Sequence, residues 1–239
     1  MASGSGISLD IVRKQFADAS EPLLADLRLT IAPSSVVALV GPSGVGKSTL
    51  LRLLAGIDRA FAGTIAINGK APHAAATPGF VFQDPRLLPW LNALDNVRAA
   101  DPAISRAEAS AWLAKVGLAE ATTLFPHQLS GGMQRRVALA RAFSVNARLL
   151  LLDEPFVSLD RGLVAEMQHV FAQLVAETLP TVVFVTHLVD DAARLADRAI
   201  VLRGRPARIM ADIAMPVPVA ERDDGTLAAY RAELEAANA

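Results

Sequence analysis

Nine consecutive residues, GPSGVGKST, carry the densest chemistry in the chain: Gly41, Pro42, Ser43, Gly44, Val45, Gly46, Lys47, Ser48 and Thr49. Glycines at these intervals let backbone N–H groups turn inward and approach a phosphate closely. A lysine closing such a loop reaches the outer phosphates, and the hydroxyl after it can ligate Mg²⁺. Far downstream, the aliphatic run of LLLLDEP delivers two adjacent acids, Asp153 and Glu154. The carboxyl end of a buried strand is where open α/β sheets bind their ligands. There Asp153 would hold Mg²⁺, directly or through water, and Glu154 would polarise an attacking water. Loop, lysine, hydroxyl and paired acids point to hydrolysis of a Mg-nucleotide. Kinases, small GTPases and motor ATPases share these parts, although no Asn-Lys-x-Asp for guanine occurs in the sequence.

One stretch does not fit a single phosphate site. LSGGMQRR, Leu129 to Arg136, puts Ser130, Gly131 and Gly132 at the start of a helical pattern. A helix N-terminus offers unpaired N–H groups and the positive end of a dipole, which suits an anion. The chain thus carries two phosphate cradles.

The elements that must position these residues can be read from hydrophobic pattern. Val36 to Val40, Leu149 to Leu152 and Thr181 to Val185 are continuously apolar, as parallel strands covered on both faces should be. Ala199 to Leu202 is a fourth candidate. Helical spacing appears at Leu50 to Leu54, with Gly56 as a stop, at Val164 to Val175 and at Asp190 to Ala196. Such alternation predicts an α/β domain with a mostly parallel sheet. The segment from Pro85 to Ala147 holds no convincing strand and is helical around Ser105 to Val116, so a helical lobe inserted in the core is expected. An antiparallel β portion is expected from ISLDIVRKQF, Leu27 to Ile31 and Thr64 to Lys70. After Met210 come two prolines and a short helical pattern with Leu227, Tyr230 and Leu234 on one side.

Composition narrows the class. A chain of 239 residues with 52% hydrophobic and 20% charged residues can bury a substantial core, so disorder is excluded. The net charge of -1 provides no global attraction to nucleic acid or anionic lipid. Absence of cysteine rules out disulfides and thiolate metal sites. No apolar run approaches the roughly 18–20 residues that span a bilayer, and MASGSGISLD has neither the charged start nor the apolar stretch of a secretory signal. Its first six residues read as a flexible lead, and any membrane role is expected to come through a partner.

Six motifs now stand in a fixed order: GPSGVGKST, Gln83 after the strand-like GFVF, LSGG, LLLLDE, Ser158-Leu159-Asp160, and His187 at the end of TVVFVT. Together, from Ile7 to Met210, they resemble the nucleotide-binding subunits of ATP-binding-cassette (ABC) transporters. The resemblance implies an α/β P-loop NTPase fold of the ABC type, with ATP and Mg²⁺ as cofactors. It divides a single domain, 1–239, into an α/β core at about 7–84 and 148–210, a helical lobe at about 85–147 and a C-terminal tail at 211–239. In that family Gln83 touches Mg²⁺ or the attacking water, His187 contacts the γ-phosphate, and Glu154 assists the water. Asp160 crosses a dimer interface, and Phe16 falls where an aromatic stacks on adenine. Two positions depart from the usual pattern: Met133 replaces the glutamine of LSGGQ, and Leu188 replaces an acid after the histidine.

The resemblance also accounts for the second cradle. In ABC proteins two subunits pack head to tail, and each ATP is sandwiched between one P-loop and the partner's signature, here Ser130, Gly131 and Gly132. A short P-loop-to-signature spacing leaves no room for a long coiled coil, and only one cassette is present. A motor subunit beneath a separate membrane permease is expected, peripheral on the cytoplasmic face of the inner membrane. Phe82 to Val97 is similar to the importer branch for nitrate, taurine and aliphatic sulfonates, which works with a substrate-binding protein outside the membrane. Leu87, Leu88 and Trp90 are either anchors for a permease helix or packing of the lobe. The chain's early end implies no large regulatory domain. The alternative is a soluble ABC ATPase acting on nucleic acid or ribosomes, for which a basic stripe or second cassette is wanting.

Overall fold

A computed structural model describes residues 4–157 and 161–238. Two sheets organise it. Strands β1 (Ile7–Lys14), β2 (Leu24–Ile31) and β4 (Ala62–Ile67) form an antiparallel sheet in the order β2-β1-β4. The larger sheet has the order β5-β6-β7-β3-β8-β9. Its members are β3 (Val36–Val40), β5 (Gly79–Val81), β6 (Leu149–Asp153), β7 (Thr181–Thr186), β8 (Arg198–Arg203) and β9 (Arg208–Ala214). The first five are mutually parallel, and β9 closes the edge antiparallel to β8.

The continuous hydrophobicity of the central strands has a direct structural cause. Successive side chains of a strand point to opposite faces, and here both faces are covered. Val36, Ala38 and Val40 pack into one core cluster, together with Leu150, Leu152, Val182 and Phe184. Val37 and Leu39, with Leu149, Leu151, Val183 and Val185, pack into another, built against the antiparallel sheet and helix α1 (Lys47–Leu54). Every residue of β3, β6 and β7 is buried, so no polar alternation is possible.

Between β5 and β6 the chain is helical, with no strand among the described residues: α2 (Ala93–Arg98), α3 (Arg106–Lys115) and α4 (Gly131–Ser144). Helix α3 starts where the sequence places a cap. Ser105 Oγ accepts from Glu108 N at 3.1 Å, and Glu108 Oε2 accepts from Ser105 N at 2.9 Å. At α2 the Asn92 side chain is the cap, its Oδ1 accepting from Asp95 N at 2.8 Å. The three helices pack on one another and, through α4, on β5.

Helices α5 (Arg161–Thr178) and α6 (Val189–Leu195) follow β6 and β7. The tail forms α7 (Asp224–Asn238), a helix longer than its pattern suggested, with Leu227 and Leu234 buried against the core. The larger sheet also continues past Met210, because β9 runs to Ala214. Its alternating, largely exposed residues give it none of the apolar continuity that marks the inner strands. None of the described helices is long and apolar enough to cross a membrane.

Candidate active site

Sheet order assembles the site. Four neighbouring strands, β5, β6, β7 and β3, are parallel, so their carboxyl ends lie side by side. Gln83 follows β5, Asp153 ends β6 with Glu154 next, His187 follows β7, and the P-loop follows β3. Residues scattered from 41 to 187 are thereby drawn into one row at the edge where α/β sheets bind ligands.

The loop from Gly41 to Gly46 turns on glycine. Gly44 has φ 79° with open space where a side chain would sit, and Gly46 has φ 112° at the N-cap of α1. A Cβ on Gly46 would lie 2.7 Å from Leu24 Cδ2, so β2 presses on the loop from behind. Lys47 is buried and its ammonium donates to Gly41 O at 2.7 Å and Pro42 O at 2.9 Å. The lysine thus bonds the mouth of its own loop, a position a phosphate oxygen can take over. Burial lowers its pKa, against the opposing pull of Glu154 and Asp153. Pro42, Ser43 and Gly44 are exposed at the loop crest, whereas Val45 is buried behind it; Ser48 and Thr49 lie in the first turn of α1.

Ser48 Oγ donates to Asp153 Oδ1 at 2.7 Å. Burial pushes the Asp153 carboxyl up from its ordinary range; the Ser48 bond opposes this and the neighbouring Glu154 adds to it. A hydroxyl and a carboxylate held together beside a phosphate-binding loop are hard oxygen donors, and Gln83 joins the same row through its bond to Glu154. Mg²⁺ fits such a set, because it keeps several waters and takes its remaining ligands from substrate phosphates.

Glu154 is the centre of the row. Gln83 Nε2 donates to its Oε2 at 3.3 Å, and His187 Nδ1 stands 3.5 Å from its Oε1. Its backbone is left-handed, with φ 48°, and its N–H donates to Val185 O at 3.0 Å. A non-glycine residue there costs about 1–3 kcal/mol, and such strain collects where a side chain must be aimed. The carboxylate is mostly buried while His187 is more open to solvent. A base bracketed by an amide and an imidazole, beside a metal-type site, can orient and deprotonate a water at the terminal phosphate.

The signature residues are not part of this row. Ser130 is the N-cap of α4, its Oγ accepting from Met133 N at 3.2 Å. Ser130 and Gly131 are exposed, and Gly131 has open space where a side chain would be. Helix α4 packs on α2 and α3, whereas α1 packs on β6 and β7. Phe16 lies in the loop between β1 and β2, the residue 47% exposed and its ring centred 4.8 Å from Lys14 Nζ. Asp160, with Ser158 and Leu159, lies outside the described residues.

Comparison with known proteins decides the family. Residues 24–157 match the ABC transporter family. The chain is 44% identical over 215 residues to the aliphatic sulfonates import ATP-binding protein SsuB 1 of Xanthomonas axonopodis pv. citri (strain 306), covering 87% of this chain and 84% of that protein. It is 40% identical over 240 residues to SsuB 2 of Burkholderia cenocepacia (strain HI2424), covering 95% and 85%. Among solved structures it is similar to the dimeric post-hydrolysis state of the ATP-binding cassette MJ0796 bound to ADP and Pi. That likeness has a TM-score of 0.76 and 31% identity, over 87% of this chain and 98% of the other. The chain belongs to the ABC transporter family. As an ABC ATPase it binds ATP and hydrolyses it in the service of transport.

Within the ABC fold, three arrangements have no signal in the sequence. Arg141 of α4 donates to Pro85 O at 2.8 Å and Arg86 O at 3.0 Å, tying the signature helix to the loop that begins at Gln83. Asp191, buried on α6, accepts from Thr186 Oγ1 and Gln168 Nε2, both at 2.8 Å, and Leu188 N donates to Thr186 Oγ1 at 3.0 Å. That network fixes the turn carrying His187. Asn96, fully buried, bonds Leu88, Leu91 and Asn92 carbonyls and pins the loop around Trp90. A lone Arg, Asp or Asn in a helical pattern reads as solvated surface, and only the packed structure shows otherwise. Met133 packs half-buried against the lobe's core, where its flexible side chain fills space.

Proposed function

We propose that this chain is the motor of an importer for aliphatic sulfonates. In this reading it acts as a head-to-tail pair of copies beneath a separate membrane permease, on the cytoplasmic face of the inner membrane. A substrate-binding protein outside delivers the anion. ATP with Mg²⁺ sits on the P-loop: Gly41 to Gly46 and Lys47 hold the phosphates, Ser48, Asp153 and Gln83 hold the metal, and Glu154 and His187 serve hydrolysis. Mg²⁺ supplies charge neutralisation at the β- and γ-phosphates. The sulfonate assignment is supported by the names of the relatives at 40–44% identity over most of the chain.

One observation carries the two-copy mechanism: Ser130 and Gly131 head a helix of the lobe, exposed and unattached to the row formed by Lys47, Asp153, Glu154 and His187. An exposed helix N-terminus suited to an anion, and not joined to the phosphate row of its own chain, makes sense against a second molecule's triphosphate. The docking face for the permease is the groove of about 740 Å³ bounded by Phe80, Phe82, Arg86, Leu88 and Arg141. Trp90, 69% exposed nearby, is its anchor, while Leu87 packs inward on the lobe's core.

The test is complementation. Ser130→Arg and Lys47→Ala are each expected to abolish hydrolysis alone. Mixed, they regain part of it, because a mixed pair holds one intact P-loop facing one intact signature. A mixture as inactive as its components would overturn the composite site. Co-purification of the chain with its permease, and sulfonate uptake by that complex in proteoliposomes, tests the import reading.

A further inference from the structure

Lys14 is the last residue of β1, and its side chain is among the largest fully buried ones in the protein. A lysine that deep requires partners, and two are present. Its ammonium pairs with Asp58 Oδ2 at 2.6 Å and donates to Ala60 O at 2.9 Å. Asp58 and Ala60 lie in the segment after α1, so the lysine ties the end of β1 to the far end of the P-loop helix. On another side the ammonium lies over the Phe16 ring, 4.8 Å from its centroid.

The position of this group relative to the phosphate loop follows from register. Lys14 pairs with Leu24 across the sheet, and Leu24 is the residue that presses against Gly46. Leu23 N donates to Lys14 O at 2.7 Å, closing the loop in which Phe16 stands. The loop that carries Phe16 therefore meets the P-loop through Leu23 and Leu24 at its base, while the ring has one face toward a buried cation and the residue is 47% exposed.

We propose that Lys14 is a positioning residue for the nucleotide base, holding and polarising the Phe16 ring on which adenine stacks. The idea rests on the stacking reading of Phe16. An aromatic face is negative, and so is the π-face of a purine. A cation beneath the ring draws electron density toward itself and leaves the outer face less negative, which favours a stacked base. The same attraction holds the ring plane in place before the base arrives, so less freedom is lost on binding. Asp58 and Ala60 in turn fix the ammonium, whose position is thereby set by the P-loop helix itself.

The experiment compares ADP with pyrophosphate, which shares the phosphates and lacks the base. Lys14→Met, combined with Asp58→Asn so that no carboxylate is left unpaired, is expected to weaken ADP binding about three- to tenfold. Pyrophosphate affinity should stay within about twofold, since the phosphate contacts are untouched. In the ATPase assay KM for ATP rises while kcat at saturation holds. In a Phe16→Leu background the Lys14 substitution should have no further effect on ADP. Equal losses for ADP and pyrophosphate, or an undiminished Lys14 effect without the ring, overturn the proposal. Phe16→Leu with unchanged ADP affinity overturns the stacking reading beneath it, which is a separate result. Should the Met variant not fold, Lys14→Arg carries the test: a guanidinium keeps the cation on the ring. Its ADP affinity should match or exceed that of the parent with Phe16 present and be unaltered by the change when Phe16 is Leu; a shift of the same size in both backgrounds sinks the idea.

Discussion

Ser48 Oγ and Asp153 Oδ1, 105 positions apart in the chain, meet at 2.7 Å and join the first turn of α1 to the last residue of β6. Both are proposed magnesium ligands, and the hydrogen bond holds the two side chains against each other. Holding ligands in place removes part of the ordering cost of binding. Asp153→Asn keeps the size and a hydrogen-bond partner for Ser48 but removes the charge. The Mg²⁺ concentration giving half-maximal ATPase is expected to rise at least about tenfold. Chelation of Mg²⁺ should abolish turnover. An unaltered Mg²⁺ titration in the variant would remove Asp153 from the metal site.

Glu154→Gln tests the base. Glutamine fits the same left-handed backbone and keeps an oxygen for Gln83, but cannot take a proton from water. Turnover is expected to fall roughly 10²–10⁴-fold, with nucleotide binding retained. ATP-bound pairs should accumulate, visible by gel filtration at low salt. A variant that hydrolyses ATP at near-parent rates would move the base elsewhere.

Phe171 of α5 joins the parts of the fold. Its ring meets Phe143 of α4, Phe156 and Phe184 of β7 edge-on, at centroid separations of 6.4, 5.9 and 6.4 Å. Phe171→Ala is expected to destabilise the protein by about 3–5 kcal/mol, measured by urea denaturation. Because the ring bridges the lobe's signature helix and the sheet, basal ATPase should become more heat-labile as well.

Asp191 gives a pH dependence with a definite sign. Burial raises its carboxyl pKa; hydrogen bonds from Thr186 and Gln168 oppose the rise, Asp190 adds to it and His187 works against it. A raised folded-state value means the folded protein binds more protons than the unfolded chain between the two pKa values. Its contribution to stability is therefore full below the ordinary aspartate range and is lost as pH climbs through the raised value. Asp191→Asn should flatten that part of the stability profile, read as urea midpoint against pH. Parallel profiles for parent and variant would remove this carboxyl as the cause.

Much of this was legible before the fold was known, for physical reasons that differ between parts. The inner strands were legible because burial on both faces leaves an unbroken apolar signature, as in Val36 to Val40. Lys47, Ser48 and Asp153 were legible because chemistry ties residue type to strand ends, whereas His187 was read only through the resemblance to ABC subunits. Strand β9 was not, since an edge strand with mixed exposure has no such signature. Lys14 and Asp191 were hidden for the opposite reason: each is a charge in the interior, and sequence pattern assigns charges to the surface. Trp90 could be read either way, and the structure turns it outward while Leu87 packs in.

Strand β3, which carries the P-loop, lies between β7 and β8, so both its hydrogen-bonding neighbours come from residues 181–203. During synthesis the phosphate loop therefore leaves the ribosome attached to a strand with two open edges, long before either partner exists. The antiparallel sheet of residues 7–67 can close early, but the catalytic row cannot. Non-local pairing of this kind is slow and exposes unpaired strand to other chains in the interval. Chains halted before residue 181 should be aggregation-prone and unable to retain nucleotide, which makes assembly of the motor an event of late translation.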